Sequence, residues 1–219
     1  MKKKPPTPGR MLANRLLRIG KALVSQTISR VPVATQTIRR LEAELAEARS
    51  QIAELRASAE TDFLLDVLNR RGFARELTRA VAYISRYRAS GALVMLDVDR
   101  LKPINDSFGH AAGDEVLKAV VGVLRQHVRA SDVIGRLGGD EFILLLWNLN
   151  ETDARAKALQ LEVTIDALRF SFGNSDVSAG ASAGISVLEQ GVSGAVALEV
   201  ADRAMYARKK QRRATQAAS

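Results

Sequence analysis

Two glycines and two acids stand between two apolar runs in the stretch IGRLGGDEFILLL, residues 134–146. Adjacent glycines readily adopt the positive φ angles of a tight turn, so the stretch predicts two antiparallel strands joined at Gly138 and Gly139. A strand as apolar as the second of these has to be covered on both faces, which requires a sheet inside a layered domain. The turn explains the glycines, but it does not explain Asp140 and Glu141 at the mouth of a buried strand.

A second strand with acids at its end is predicted earlier in the chain. The run GALVMLDVD, residues 91–99, is apolar until its end, as expected of a central strand buried on both faces. The remaining periodicity predicts helices near 69–88, 113–128, 152–167 and 195–212, and further strands near 168–172 and 178–188. This order predicts an α/β fold in which helices flank a mixed central sheet.

The composition excludes several kinds of site. None of the 219 residues is cysteine, so the chain has no disulfide, thiolate metal site or cysteine nucleophile. A hydrophobic share of 47% is enough for one full-sized core. No apolar run is as long as a membrane-spanning helix, and the first residues lack a signal-peptide pattern. These features fit a cytoplasmic protein.

The positive charge of the chain is concentrated at its beginning. The net charge is +9, yet no Asp or Glu precedes Glu42, whereas ten of the 33 Lys and Arg residues do, which leaves 23 basic against 24 acidic residues in the rest. The high pI therefore describes an N-terminal arm. The even balance beyond this arm argues against nucleic acid as a partner.

An amphipathic helix is predicted within this arm, after a proline-containing tail over residues 1–10. Over residues 11–29 apolar side chains recur on one side and basic side chains on the other, until Pro32 breaks or kinks the helix. Residues 1–30 therefore suit peripheral contact with the inner face of an anionic membrane, or with a partner protein. An ordinary helix that packs on its dimer mate fits the pattern equally well.

A heptad repeat follows the arm. Apolar residues alternate spacings of three and four at positions 38, 41, 45, 48, 52, 55 and 59. This seam predicts a parallel two-stranded coiled coil, and hence a homodimer, whereas a single helix packed on the domain would not need so strict a seam. The predicted organisation is a tail and amphipathic helix over 1–35, a coiled coil over 36–61, a globular domain over 62–214 and a disordered tail over 215–219.

The acids at the strand ends suggest a cation site. If the strands that carry Asp97 and Asp140 are neighbours, both carboxylates reach the same end of the sheet. Mg²⁺ usually binds one or two carboxylates together with substrate phosphates, and Gly138 and Gly139 would let a phosphate approach the main chain. The arrangement therefore suggests nucleotide phosphates held on Mg²⁺, although acids at strand ends are commonly only solvated.

Four motifs together resemble those of one family. GGDEF at 138–142, DVDRLKPINDSFGHAAGDEVL at 97–117, NRRGF at 69–73 and ADRAMYARK at 201–209 resemble, in order and spacing, the GGDEF family of diguanylate cyclases. Several long motifs in register are far more specific than one short match. The resemblance covers roughly residues 60–213 and implies a palm-like α/β domain, similar to nucleotide cyclases and polymerase palms.

The resemblance also implies a reaction and its metal. Enzymes of this family condense two GTP into cyclic di-GMP and release two pyrophosphates, and each subunit of a homodimer holds one GTP. By position, Asp97, the Val98 carbonyl and Asp140 correspond to the ligands of Mg²⁺ or Mn²⁺, which lower the pKa of the attacking hydroxyl. Glu141 corresponds to a second catalytic acid, which binds metal or helps to remove the proton.

Further residues correspond to the nucleotide site. Asn105 and Asp114 match the pair that reads guanine, as their hydrogen-bonding groups allow, while helix capping is the structural alternative. Lys102, Lys209 and Arg213 match cations beside the phosphates. For the last two, a basic helix end that complements the helix dipole is the alternative.

An RxxD motif, Arg129 to Asp132, lies nine residues before Gly138. Its position matches the site at which cyclic di-GMP inhibits enzymes of the family, and a guanidinium can donate to a guanine edge. The alternative is a local ion pair before a strand.

The chain departs from the family pattern in two places. The run DFLLDVL, residues 62–68, replaces the usual D-x-L-T-G-L-P, so Leu65, Asp66 and Leu68 stand where Thr, Gly and Pro are usual. Near the end, KKQRRA replaces K-R-x-G-R-N, which puts Arg212 at a glycine position and predicts that the helix runs on and aims Arg213 differently.

Three functions fit these observations. The first is a product-inhibited diguanylate cyclase. The second is an inactive domain that serves as a GTP or cyclic di-GMP receptor, although a receptor would not need both metal ligands. The third is a basic scaffolding protein that acts through residues 1–30, which would bind its partner with a steep salt dependence.

Overall fold

The computed structural model describes residues 15–21, 36, 38–52 and 59–217. The chain divides into two compact units, one ending at Arg56 and one starting at Ala57. The predicted tail over 1–10 and the predicted break at Pro32 lie outside the described residues.

The described residues of the first unit are helical over 15–21 and 38–52. The helix predicted for the heptad seam is therefore present in that stretch. Its apolar seam residues Ile38, Leu41, Leu45 and Ile52 are exposed, as the seam of a coiled coil is in a single chain. Pairing with a second copy remains a prediction, and Leu55 of the seam lies outside the described residues. No helix in the described ranges combines the length and apolar character needed to cross a membrane.

The second unit alternates strands and helices. Its helices are α1 (Arg70–Tyr87), α2 (Leu101–Phe108), α3 (His110–His127), α4 (Glu151–Asp166) and α5 (Gly194–Ala217). Its strands are β1 (Leu68–Asn69), β2 (Gly91–Asp99), β3 (Val133–Gly138), β4 (Glu141–Trp147), β5 (Arg169–Phe172), β6 (Ser175–Ser178) and β7 (Gly180–Leu188).

Five of these strands form the central sheet, in the order β1-β3-β4-β2-β7. β2 pairs antiparallel with β4 and β7, and β3 pairs antiparallel with β4, whereas β1 pairs parallel with β3. The sheet is therefore mixed, as the sequence predicts. Its register places Asp97 opposite Glu141 and Asp99 opposite Gly180. β5 and β6 form a separate two-stranded sheet.

Helices cover both faces of the central sheet. α2, α3 and α4 contribute to the core on one face, and α1 and α5 contribute to the core on the other. Alternate residues of β2 and β4 enter the two cores, so both strands are apolar at nearly every position. The result is the predicted α/β architecture, with three layers around one sheet.

The helix ends follow local rules. The Asn69 side chain accepts hydrogen bonds from the backbone of Arg71 and Gly72 and so caps α1. Asn150 caps α4 in the same way, through the backbone N–H of Asp153. α1 ends at Arg88, whose φ of 54° lies in the left-handed region.

Two differences from the sequence predictions matter for the site. α2 was not predicted, because Pro103, Asn105 and Asp106 favour turns and caps over helix interiors, and tertiary burial of Leu101 and Ile104 stabilises it instead. α5 runs on to Ala217, so residues 215–217 of the predicted disordered tail are helical. The sequence also missed the short strands β1 and β6.

Candidate active site at the end of the central sheet

The β3–β4 hairpin presents Asp140 at its tip. Gly138 pairs with Glu141, so the two residues between the paired positions are Gly139 and Asp140, one step later than the sequence predicted. Gly138 and Gly139 have φ values of 145° and 53°, which glycine adopts without strain. The N–H of Val98 donates to the Asp140 carbonyl at 2.9 Å, which joins the tip to the end of β2.

Two arginines hold this turn in place. The Arg136 guanidinium donates to the Gly139 carbonyl at 2.7 and 3.1 Å and pairs with Asp62 at 3.0 Å. Both partners of that ion pair are largely buried, with 14% of each side chain exposed. Arg70 donates from Nε to the Leu137 carbonyl at 2.9 Å. Because these bonds fix main-chain oxygens, the position of Asp140 does not depend on the turn alone.

One cavity of about 370 Å³ opens between the end of β2, the hairpin tip, the start of α2 and the end of α5. It brings together most of the residues predicted for the phosphates and the metal. Those that line it are Val98, Lys102, Asp140, Lys209 and Arg213.

Asp97 and Lys209 pair at the edge of this cavity. The Lys209 ammonium donates to Asp97 Oδ1, and 9% of the Asp97 side chain is exposed. Burial raises the pKa of Asp97, the charges of Asp140 and Asp99 raise it further, and the contact with Lys209 opposes this shift. Lys209 lies well inside α5, so the alternative role, a basic residue at a helix end that complements the helix dipole, does not apply to it. This favours the predicted role beside the phosphates.

The donor set fits a small divalent cation that also binds substrate. Among the described residues, no cluster of three or more His, Cys, Asp and Glu side chains could hold a metal by itself. Two carboxylates and a main-chain oxygen are what Mg²⁺ usually takes from a protein when phosphates complete its coordination. Burial is the main cause of the raised pKa of Asp97, and the charges of Asp140 and Asp99 add to it; a cation bound between Asp97 and Asp140 would stabilise both ionised carboxylates.

The residues predicted to read guanine lie beside each other on α2 and α3. Asn105 Oδ1 is buried and has no hydrogen-bond partner, which is expected of a group that binds an absent ligand. The Asn105 amide lies against Gly113, where a Cβ would clash with it. Asp114 is the fifth residue of α3, which starts after Gly109, so Asp114 does not cap the helix. Neither residue lines the phosphate-side cavity described above.

Glu141 does not join Asp140 in that cavity. Its carboxylate lies 3.9 Å from Arg70 and lines a neighbouring cleft between α1 and α5, together with Glu199 and Asp202. Asp140 lies in the turn whereas Glu141 begins β4, and the two residues line different cavities. The geometry thus favours Asp140 over Glu141 as a ligand.

The RxxD motif lies at the other end of β3. Asp132 accepts from the backbone N–H of Arg129 at 2.8 Å and from that of Trp147 at 3.0 Å. It therefore shapes the turn and does not form the local side-chain ion pair considered above. Asp132 precedes β3 and Gly138 ends it, so the two sites are about 20 Å apart along the strand.

Sequence reasoning missed several residues that build the site. Asp62 and Arg136 brace the turn, and Asp99 and Arg212 line or border the cavity. Asp99 accepts a hydrogen bond from the buried Ser182 hydroxyl at 2.9 Å. Asp62 and Arg136 are 74 positions apart, and no local pattern links them. In the sequence, Arg212 stands out only because glycine is usual at its position in the family pattern.

Comparison with known proteins identifies the family. The family model described as diguanylate cyclase, GGDEF domain, matches residues 59–215. The diguanylate cyclase DgcP of Pseudomonas aeruginosa is 36% identical over 183 residues, which cover 83% of this chain and 27% of DgcP. The chain thus spans about a quarter of the length of that relative.

Two solved structures extend the likeness to the fold. The coiled coil and GGDEF domain of DgcB from Caulobacter crescentus, in complex with c-di-GMP, matches with a TM-score of 0.71 and 26% identity over 80% of this chain and 93% of that one. The diguanylate cyclase SiaD of Pseudomonas aeruginosa, in complex with its activator SiaC, matches with a TM-score of 0.66 and 28% identity over 93% of this chain and 82% of that one. On the family match, its motifs and the fold, this chain belongs to the GGDEF family of diguanylate cyclases.

Proposed function

We propose that this protein is a diguanylate cyclase, which condenses two GTP into cyclic di-GMP and releases two pyrophosphates. The observation that carries the proposal is the cavity in which Asp140, beside Asp97, faces the cations Lys102, Lys209 and Arg213. Nucleotidyl transfer requires both carboxylates that bind a divalent cation and cationic side chains that bind a triphosphate. A domain that only binds the nucleotide does not need the carboxylates.

In each half-reaction a bond forms between the 3′-oxygen of one GTP and the α-phosphorus of the other. The bond from that phosphorus to the bridging oxygen of pyrophosphate breaks, and the hydroxyl proton leaves to a base or to solvent. Lys102, Lys209 and Arg213 bind the phosphates and offset the charge that develops on the leaving pyrophosphate. Asn105, whose buried oxygen lacks a partner, and Asp114 read the guanine.

The cofactor in this proposal is Mg²⁺ or Mn²⁺, held by Asp97, Asp140 and the Val98 carbonyl. When bound, the metal supplies charge stabilisation and a lower pKa for the attacking hydroxyl. Lys209 pairs with Asp97, and a metal held by that carboxylate would leave the ammonium available to a phosphate. Glu141 keeps a secondary role, since its carboxylate turns towards Arg70.

The reaction requires two chains, because each active site contributes one GTP. The exposed seam over 38–52 supports a homodimer through a coiled coil. The basic residues 1–30 would then localise the dimer, in the cytoplasm or at the inner membrane face, or bind a partner protein.

Product inhibition is proposed at Arg129 and Asp132. Among the described residues the Arg129 guanidinium has no ion-pair partner, and Arg129 is exposed. A guanine edge would therefore meet a guanidinium that is free to donate, with Asp132 already fixed by two backbone bonds.

The function is tested by incubating purified, nucleotide-stripped protein with GTP and Mg²⁺ and resolving the nucleotides by chromatography. Stripping is needed because cyclic di-GMP retained at Arg129 would hide activity. We expect cyclic di-GMP and pyrophosphate to form in a ratio of about one to two. In the presence of EDTA neither product should form. GTP that is bound but unchanged in a dimeric sample would favour the receptor instead.

A further inference from the structure

Three acids lie beside the first residues of β7. The Glu162 carboxylate of α4 accepts from the N–H of Ala183 at 2.8 Å, and Asp166 accepts from the N–H of Ala181 at 3.2 Å. These bonds satisfy donors that an edge strand would otherwise leave unpaired. Asp99, at the end of β2, pairs with Gly180 of β7 and accepts a hydrogen bond from the Ser182 hydroxyl. The three carboxylates are thereby fixed to the sheet.

Two arginines of α5 neutralise this cluster, and they do so differently. Arg208 makes a forked pair with Glu162, at 2.6 and 3.0 Å. Arg212 donates to both oxygens of Asp166 at 2.7 and 2.8 Å, and its Nε lies 3.4 Å from Asp99. Arg208 thus joins α5 to α4 alone, whereas Arg212 joins α5 to α4 and to the end of β2.

The end of α5 depends on such contacts. Met205 is the last buried apolar residue of the helix, and beyond it only Arg208, Lys209 and Arg212 are partly buried among residues 206–215. Among residues 206–215 no apolar side chain is buried, so apolar packing contributes little to the orientation of the turns that carry Lys209 and Arg213. Their orientation comes from ion pairs, and among these only the pairs made by Arg212 reach both α4 and β2.

We propose that Arg212 is a positioning residue for the reaction: it fixes the turn of α5 that carries Lys209 and Arg213 over the strand end that carries Asp97. This inference rests on the proposed function. A guanidinium suits the task because its planar fork holds two carboxylates in fixed directions, whereas a lysine ammonium is a compact point charge without that fixed geometry. Since glycine is usual at this position in the family pattern, the tie is a property of this chain.

The test compares Arg212→Met with Arg208→Met. Both changes keep an unbranched side chain and remove a guanidinium from the same acid cluster, one helical turn apart. Initial rates are measured against GTP, well below the melting temperature of each variant. Arg212→Met is expected to raise the KM for GTP and lower kcat, with a combined loss of roughly tenfold to a hundredfold in kcat/KM.

Arg208→Met is the matched control, and a comparable fall in melting temperature with kcat/KM within about twofold of the wild type is expected. Equal effects of both changes on kcat/KM, or an unchanged kcat/KM in Arg212→Met, would overturn the inference. If Arg212→Met does not fold, Arg212→Lys decides. The lysine keeps the charge but not the fork, so a lower kcat/KM supports the inference and an unchanged value rejects it.

The two proposals fail separately. If the wild type forms cyclic di-GMP and Arg212→Met does so equally well, only the positioning role is wrong. If the wild type binds GTP without turnover, the Kd for Mg²⁺–GTP replaces kcat/KM as the readout, and an unchanged Kd in Arg212→Met rejects the role. If the wild type neither binds nor converts GTP, the proposed function and the positioning role fail together.

Discussion

Asp66 adopts a backbone conformation that usually belongs to glycine. Its φ is 51°, at a position where glycine is usual in the family pattern. The Asp66 carbonyl accepts from Arg125 at 2.6 Å, and the Asp62 carbonyl accepts from the Asp66 N–H at 3.0 Å. Both bonds use backbone atoms, so the loop keeps its shape despite the substitution.

Asp66→Gly is therefore expected to stabilise the domain. Relief of the left-handed conformation should raise the free energy of unfolding by about 0.5–1 kcal/mol. The lost contact between the carboxylate and Arg125, at 3.5 Å and 91% exposed on the Asp66 side, is worth little. Urea unfolding of Asp66→Gly and Asp66→Ala measures the effect. The alanine keeps the Cβ, so an equal gain in both variants would disprove the explanation.

Arg129 provides a second test at this scale. Because its side chain is exposed, Arg129→Ala should leave folding and initial rates unchanged. The concentration of added cyclic di-GMP needed for half-maximal inhibition should rise by roughly tenfold or more. A change of this size corresponds to the free energy that charged hydrogen bonds contribute to binding. The control is Arg203→Ala, which removes an exposed arginine of α5. Unchanged inhibition in Arg129→Ala would place product inhibition elsewhere.

At the scale of elements, α5 packs closely against β7 at Gly184. A Cβ at Gly184 would clash with the α5 backbone at Ala201, Ala204 and Met205. The helix that carries Lys209 can approach the sheet only because residue 184 has no side chain.

Gly184→Ala is expected to force α5 away from the sheet and to lower the free energy of unfolding by about 1–3 kcal/mol. Gly122→Ala is the control, because nothing lies within 4 Å of a Cβ at that position of α3. It should stabilise by about 0.5–1 kcal/mol, since alanine is the better helix former. Thermal unfolding distinguishes them, and a Gly184→Ala variant as stable as the wild type would contradict the packing argument.

The elements also show what the sequence could and could not reveal. Apolar periodicity predicts β2, β4 and the long helices, because those patterns are local. It misses α2, which contains Pro103 and is stabilised by tertiary burial. For the site, motif position predicts that Asp140 and Lys209 share a cavity. The acid partners of Arg212 come from β2 and α4, so no local pattern could reveal them.

At the scale of the whole molecule, the proposed reaction requires two chains. The seam residues Leu41 and Leu45 are 54% and 51% exposed in the single chain, and burying them against a second copy would provide the dimer. Two GTP sites then belong to one assembly, which the chemistry demands.

Leu41→Lys combined with Leu45→Lys should abolish the dimer and the formation of cyclic di-GMP, because like charges would face each other across the seam. Light scattering measures the mass, and chromatography measures the product. The control is Ala43→Lys with Ser50→Lys, which adds the same charges away from the seam and should leave both unchanged. A seam variant that is monomeric and fully active would refute the requirement for the coiled coil.

The most direct measurement is the rate of cyclic di-GMP formation by Asp140→Asn beside the wild type, with GTP and Mg²⁺. We expect a loss of about a hundredfold or more with unchanged unfolding, because the amide cannot replace a charged metal ligand. Asp153→Asn, the same change at the exposed start of α4, should retain the wild-type rate. Undiminished product from Asp140→Asn would contradict the assignment of this cavity as the active site.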